Sequence, residues 1–244
     1  MTIRVLVNGA GGKMGQAAVK AIELDPALTL VAQTGRKNNL AAEIKQAQAQ
    51  VVVDFTVAEV ALENTTTIIE AGAHPVIGTS GLVAAQVKKI QQRCAQLKRG
   101  GIIAPNFSLG AVLMMKHAQE IVRYFPFVEI IEMHHAGKLD SPSGTAVRTA
   151  EMMSEARASV PELPQNVHET IPGARGANYQ KIPIHSVRLP GLIAHQQIIF
   201  GGTGETLTIR HDSIDRLCFM PGVVLACKKV MGLDELVYGL ENIL

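Results

Sequence analysis

The sequence predicts an α/β protein with an N-terminal Rossmann-like dinucleotide-binding domain and a C-terminal α+β domain built on a mixed, largely antiparallel sheet. Three observations predict it. The apolar run Ile3 to Val7 passes into Asn8-Gly9-Ala10-Gly11-Gly12-Lys13-Met14-Gly15 and then into the helical pattern Gln16 to Leu24, the order strand, glycine-rich turn, helix. Nearly continuous apolar runs such as Val51-Val52-Val53 alternate with helical patterns, as in a parallel sheet covered on both faces. In the second half, Lys181 to Arg188, Ile193 to Phe200 and Thr206 to His211 alternate more strictly and are joined by short glycine-bearing links, the signature of a mixed or antiparallel sheet. The expected division is residues 1–108 plus 217–244 for the first domain and 109–216 for the second.

With 244 residues and 47% hydrophobic content, the chain is long and apolar enough to bury a real core. Its 23 basic residues nearly match 21 acidic ones, for a net charge of +2, and no long basic run occurs, which argues against a nucleic-acid partner. Cys94, Cys218 and Cys227 lack CxxC spacing, so neither a disulfide framework nor a structural zinc site is expected, and reduced thiols imply a cytoplasmic setting. The N-terminus enters a strand without signal-peptide features, and no apolar run reaches the ~18 residues of a membrane span. A soluble protein with no membrane partner is expected.

The first turn needs glycine because a pyrophosphate must approach the backbone closely and because Cβ atoms would obstruct the bend and the helix-to-strand packing. Gly9, Ala10, Gly11, Gly12, Lys13 and Met14 are therefore candidate cofactor-binding residues, the alternative being an ordinary turn between strand and helix. A second strand, Leu28 to Gln33, ends at Thr34-Gly35-Arg36-Lys37. An NAD-type fingerprint has a carboxylate about twenty positions after the glycines to bond the ribose 2′-hydroxyl; here Gly35 stands there, followed by two cations. Charge alone leaves a solvated basic turn equally open. The missing carboxylate favours a 2′-phosphate held by Arg36 and Lys37, so NADPH is the preferred cofactor and NADH the second option.

Strand C-termini bind the ligands of α/β sheets. Phe55 and Thr56, and then Gly78, Thr79 and Ser80, are candidates on that ground, with plain loop punctuation as the alternative. Asn64 to Ala71 and Ala84 to Leu97 read as crossover helices. Ile102 to Ser108, containing Ala104-Pro105-Asn106-Phe107, is a strand with a polar end. Leu109 to Phe125 has helical spacing in which Met114-Met115 fills core. Ser159 to Gln180 reads as a long loop, of a length that is often functional, and Pro221 to Val230 and Leu233 to Ile243 read as helices returning to the first domain.

The densest chemistry lies in Glu132-Met133-His134-His135-Ala136-Gly137-Lys138-Leu139-Asp140-Ser141-Pro142-Ser143-Gly144-Thr145-Ala146. It follows a strand-like run, Phe127 to Ile131, and precedes a helical one, Ala146 to Ala156. Ser141 reads as the helix cap and Pro142 as the first helical residue, which would turn the N–H groups of Ser143, Gly144 and Thr145 outward as an anion site. Adjacent residues of an extended segment face opposite ways, so His134 and His135 make a poor metal pair. Alone they would read as structural polar groups. Beside Lys138 and the Ser143 and Thr145 hydroxyls they read as donors to a negatively charged ligand, with histidine able to pass a proton near neutrality. With hydride from NADPH, such a site fits reduction of a polarised C=N or conjugated double bond in a carboxylated substrate. Glu132 and Asp140 are open to either an orienting or a purely structural role.

This motif closely resembles the signature of the dihydrodipicolinate reductase family. Gly9 to Gly15, Val53-Asp54-Phe55-Thr56, Ala104 to Gly110, His185-Ser186-Val187-Arg188 and Phe200-Gly201-x-x-Gly204-Glu205 resemble further family segments in the same order. The resemblance implies reduction of 4-hydroxy-tetrahydrodipicolinate (or dihydrodipicolinate) to tetrahydrodipicolinate in the diaminopimelate route to lysine. Carried over by position, it implies His134 as acid/base, Lys138 as proton donor, and His135, Gly144 and Thr145 as binders of a cyclic dicarboxylate. The cofactor would be held by Gly9 to Met14, Gly78 to Ser80 and Ala104, Pro105, Asn106 and Phe107. It also implies a homotetramer formed through strands of the second domain. Many relatives carry an acidic residue where Gly35 stands, a departure that bears on the cofactor; Ser141 and Ala136-Gly137 also depart from the common pattern. Two other readings remain beside this one: another two-domain NAD(P)-dependent amino-acid dehydrogenase, and a non-catalytic NADPH-binding sensor, against which the intact His134, His135 and Lys138 argue.

Overall fold

The structure is a computed structural model in which residues 2–79, 81–159, 162 and 168–244 are described. The chain forms two compact units, one running to Leu109 and resuming over Arg216–Leu244, the other spanning Gly110–Asp215. Ser80, and residues 160–161 and 163–167 of the loop expected over residues 159–180, lie outside the described residues.

The first unit opens with β1 (Ile3–Asn8), α1 (Lys13–Leu24), β2 (Leu28–Thr34), α2 (Leu40–Ala47), β3 (Val51–Asp54), α3 (Ala58–Glu70), β4 (His74–Ile77), α4 (Ala84–Leu97) and β5 (Gly101–Ile103). The second contains α5 (Leu109–Ile121, starting at the boundary), β6 (Phe127–His134), α6 (Gly144–Ala156), β7 (Ala177–Tyr179), β8 (Ile182–Arg188), β9 (Ala194–Gly202) and β10 (Glu205–Ser213). The chain then returns to the first unit with α7 (Met220–Lys229) and β11 (Leu236–Tyr238).

The first sheet is six-stranded, ordered β11-β5-β4-β3-β1-β2, and every pairing is parallel. Its central strands are buried on both faces, Val5, Leu6, Val7, Val51, Val52 and Val53 all at 0% exposure, which is why they carry no polar alternation. The order reverses direction between β1 and β3, so the segments after Asn8 and after Asp54 flank the point where such sheets bind ligands. One side of the core gathers Leu6, Val52, Ile68, Ile77, Ile90 and Cys94. Cys94 and Cys227 are packed away from water, which pushes their thiols up to about 11 and about 12.

Three elements differ from expectation, the first being β7, a strand that pairs antiparallel with β8 inside the stretch read as a loop. Leu233 to Ile243 is not a helix: Leu236–Tyr238 extends and pairs in parallel with β5, Val237 opposite Ile102, before Gly239 at φ +89° turns the chain. The exposed hydrogen-bonding edge of β5 outcompetes a short helix with no cap. The unexpected α2 is started by Asn39, whose side chain accepts the N–H of Ala42.

The second unit holds a five-stranded sheet ordered β10-β9-β6-β8-β7, in which β6 pairs with β8 in parallel and the other pairings are antiparallel. Val128 and Ile130, Ile182 and Ile184, and Ile198 and Phe200 point to one face and pack with Met114 and Ala118 of α5 and Ala146, Ala150 and Met153 of α6. The period of two in these strands creates that face. Met114 and Met115 are buried, as core residues should be. Among the described residues, no helix is long and apolar enough to cross a membrane.

Candidate active site

Each unit carries its own cluster of polar and glycine-rich features. In the first unit, Gly9 follows β1 with φ +82°, and a Cβ there would lie 2.6 Å from the Phe55 carbonyl oxygen. A Cβ on Gly15 would lie 2.1 Å from the Gly9 carbonyl oxygen. Both glycines are therefore demanded by packing of the turn against β3 and α1. Gly11 differs: a Cβ there would meet nothing within 4 Å, so its backbone faces open space. Gly12 caps α1 without a side-chain bond, leaving the N–H groups of Lys13 and Met14 at a helix end suited to phosphate.

A cleft of about 420 Å³ lies in the same unit, lined by Met14, Phe55, Thr56, Gly78 and Thr79 among others. The Phe55 and Phe107 rings meet edge to face, centroids 5.9 Å apart, and a Cβ on Gly78 would collide with both. Ala104 donates its N–H to the Ile77 carbonyl, Phe107 is buried, Asn106 accepts the N–H of Ser108, and Pro105 is exposed. Beneath the cleft lies an interaction that no local pattern in the chain announces. Asp54, at 0% exposure, accepts from the Asn8 and Asn64 amides on Oδ2 and from Thr56 and Thr79 hydroxyls on Oδ1, while Thr34 donates to Asn8. One carboxylate thus ties the ends of β1, β3 and β4. Arg36 and Lys37 are exposed in a turn closed by Asn38, whose N–H donates to the Gly35 carbonyl and whose side chain accepts the Gly35 N–H. This cradle of glycine-limited backbone, uncapped helix end and exposed cations fits a dinucleotide.

In the second unit, β6 ends at His134 and β8 at Arg188, directly opposite each other in the parallel register. Between them sits Glu132, fully buried. Its Oε2 lies 2.6 Å from His134 Nδ1, and both its oxygens accept from the Arg188 guanidinium, at 2.7 and 2.9 Å. Its Oε1 also accepts the Ser143 N–H at 3.2 Å. Burial alone would push the Glu132 carboxyl up, but bonds from Arg188, Ser186 and His134 outweigh it and hold the group below the usual carboxylate range. Burial also lowers His134, an effect that Glu132 opposes and that Lys138 and Arg188 reinforce.

Arg188 bonds the Asp140 carbonyl as well, and Lys138 donates to the Asp140 carboxylate at 2.6 Å. Lys138 and His134 are thereby connected through Arg188. His135 is exposed on the intervening turn, where its carbonyl accepts the Lys138 N–H; the fold does not bring it into the Glu132 cluster. The helix start also departs from expectation. Ser143, not Ser141, is the cap: its hydroxyl accepts the Ala146 N–H, and α6 begins at Gly144. Pro142 precedes the helix because Ser143 is extended and anchored to Glu132, so the first turn of α6 starts with Gly144 and Thr145. Among the described residues, no group of three His, Cys, Asp or Glu side chains is arranged to hold a metal.

The profile described as "Dihydrodipicolinate reductase, N-terminus" matches residues 3–107, and that described as "Dihydrodipicolinate reductase, C-terminus" matches residues 110–244. The chain is 53% identical to a 4-hydroxy-tetrahydrodipicolinate reductase of Coxiella burnetii (strain Dugway 5J108-111), over 100% of both chains. It is 54% identical to one of Legionella pneumophila (strain Lens), again over 100% of both. The dipicolinate-bound dihydrodipicolinate reductase from Paenisporosarcina sp. TG-14 superposes with a TM-score of 0.93 at 46% identity, covering 100% of each chain.

Proposed function

Because the chain belongs to the dihydrodipicolinate reductase family and reduces 4-hydroxy-tetrahydrodipicolinate with NAD(P)H, we propose that His134 and Lys138 handle the proton of that reaction. Overall, the hydroxylated ring loses water and its conjugated double bond gains one hydride and one proton. A bound nicotinamide supplies the hydride. In this reading the protein delivers the proton, with His134 as the acid/base group and Lys138 as the donor, both lying in the network anchored by Glu132 and Arg188.

The substrate is a cyclic dicarboxylate, in keeping with the dipicolinate bound by the Paenisporosarcina relative. His135, Ser143, Gly144 and Thr145 hold it, Ser143 through its hydroxyl hydrogen and the last two at the N-terminal turn of α6, where partial positive charge favours a carboxylate. Gly9, Ala10, Gly11, Gly12, Lys13 and Met14 cradle the cofactor pyrophosphate, and Phe55, Gly78, Thr79, Ser80, Ala104, Pro105, Asn106 and Phe107 hold the remainder. Residues 1–108 with 217–244 form the cofactor domain, and residues 109–216 the substrate-binding and self-association domain of a homotetramer.

The observation that carries the proton assignment is the buried Glu132 bonded at once to His134, Arg188 and the start of α6. Lys138→Ala should lower kcat by about 100-fold or more, the range of general acid catalysis, while leaving the Kd for NADPH nearly unchanged. Undiminished turnover in that variant would remove Lys138 from the reaction.

NADPH is the preferred cofactor, since Arg36 and Lys37 are exposed after β2 and Gly35 offers no carboxylate to a ribose hydroxyl. Measured kcat/KM should favour NADPH over NADH, and Arg36→Ala with Lys37→Ala should erase most of the difference. Equal values in the unaltered protein would refute this preference.

A further inference from the structure

The proton assignment above leaves open what makes His134 suited to it, and the inference that follows rests on that assignment. We propose that Glu132, clamped by Arg188, is the positioning residue of the site: it fixes the proton of His134 on Nδ1 and leaves Nε2 as the working nitrogen.

The geometry supports this at each contact. A carboxylate only accepts hydrogen bonds, so an imidazole nitrogen 2.6 Å from Glu132 Oε2 must be the protonated one. The remaining ring nitrogen, Nε2, then accepts when the ring is neutral and donates when it is charged. Glu132 can hold this role only while ionised, and a fully buried carboxylate is expensive to ionise without partners. Arg188 supplies them through two parallel N–H bonds, a fork that matches the carboxylate. The same guanidinium bonds the Asp140 carbonyl, which fixes the segment bearing Lys138. Glu132 Oε1 also takes the Ser143 N–H, so the start of α6 is referenced to the same carboxylate.

The charged groups acting on His134 are Glu132 from β6, Arg188 from β8, and Lys138 from the following turn, with Asp140 neutralising Lys138. Glu132 is the one that favours the imidazolium. Replacing it with glutamine removes that support and leaves the Arg188 charge, so the pKa of His134 should fall further. General loosening would do the reverse, because burial is the main cause of its depression and access of water would restore it.

The test is kcat against pH for the unaltered protein, Glu132→Gln, His134→Gln and the double variant, with NADPH and substrate saturating. Glu132→Gln should lower kcat at neutral pH by about 10- to 100-fold, move the limb belonging to His134 to lower pH, and add nothing to the loss caused by His134→Gln. The inference is overturned by turnover within about twofold of the unaltered enzyme, by a limb that stays or moves up, or by multiplicative losses in the double variant. Should Glu132→Gln not fold, ¹⁵N NMR of the unaltered protein decides: the neutral ring of His134, assigned by its loss in His134→Gln, must carry its proton on Nδ1, and an Nε2–H ring overturns the inference. A full rate in His134→Gln defeats the proton assignment and this inference with it. A slow His134→Gln beside a full-rate Glu132→Gln defeats this inference alone.

Discussion

At three histidines, burial decides the charge. His74, His134 and His211 all titrate below the ordinary histidine range, in each case chiefly because burial disfavours the charged ring. Their folded pKa values lie below the unfolded value of about 6.5, so the unfolded chain binds protons that the folded chain resists. Stability is complete above that value and is lost as pH falls through it towards the folded pKa values. The urea midpoint should therefore drop between about pH 7 and pH 5, and His74→Gln should reduce the drop; a flat midpoint over that window would contradict this account. At this scale the sequence was informative where chemistry is local. The donors His134, His135 and Lys138 could be picked out by type and spacing, but Arg188 carried only a family likeness, because nothing near it in the chain indicates a partner 56 positions away.

Elements were legible in proportion to how far their periodicity and caps decide them. The helix read over Ala84 to Leu97 is α4, whose buried Val87, Ile90 and Cys94 recur at helical spacing. Leu233 to Ile243 has a helical pattern yet contains the strand Leu236–Tyr238, because an apolar run beside an open sheet edge can form either structure and the edge of β5 decides it. Two serines, Ser141 and Ser143, flank Pro142 as possible caps, and the bond from the Ser143 N–H to Glu132 goes with the second. This makes a direct prediction for α6. Ser143→Ala removes the acceptor for the Ala146 N–H and should cost about 1 kcal/mol of unfolding free energy by urea titration, whereas Ser143→Asn, a neutral cap beside the buried Glu132, should retain most of it. No difference between alanine and asparagine would mean that the hydroxyl does not act as a cap.

For the whole molecule, the second unit's sheet bears on assembly. One face is covered by α5 and α6, while the other carries Ile131, Met133, Val187 and Ile199 only partly buried, with Phe127 49% exposed at its margin. Apolar side chains on a sheet face favour self-association, in keeping with the proposed homotetramer. Sedimentation equilibrium should give a mass of four chains, and a monomer or dimer across the concentrations used in assay would reject that assembly.

By itself the sequence determined the alternation of strands and helices in the first unit, the glycine turn, the change of sheet type in the second unit and the concentration of donors from His134 to Thr145. These follow from backbone sterics, periodicity and side-chain chemistry, which act over a few residues. Only the tertiary structure decided that Asp54 would gather Asn8, Thr56, Asn64 and Thr79, and that Glu132 would sit between His134 and Arg188. Those arrangements depend on which strands lie side by side and in what register, and strand order is settled by competition among long-range packings that leave no local pattern in the chain.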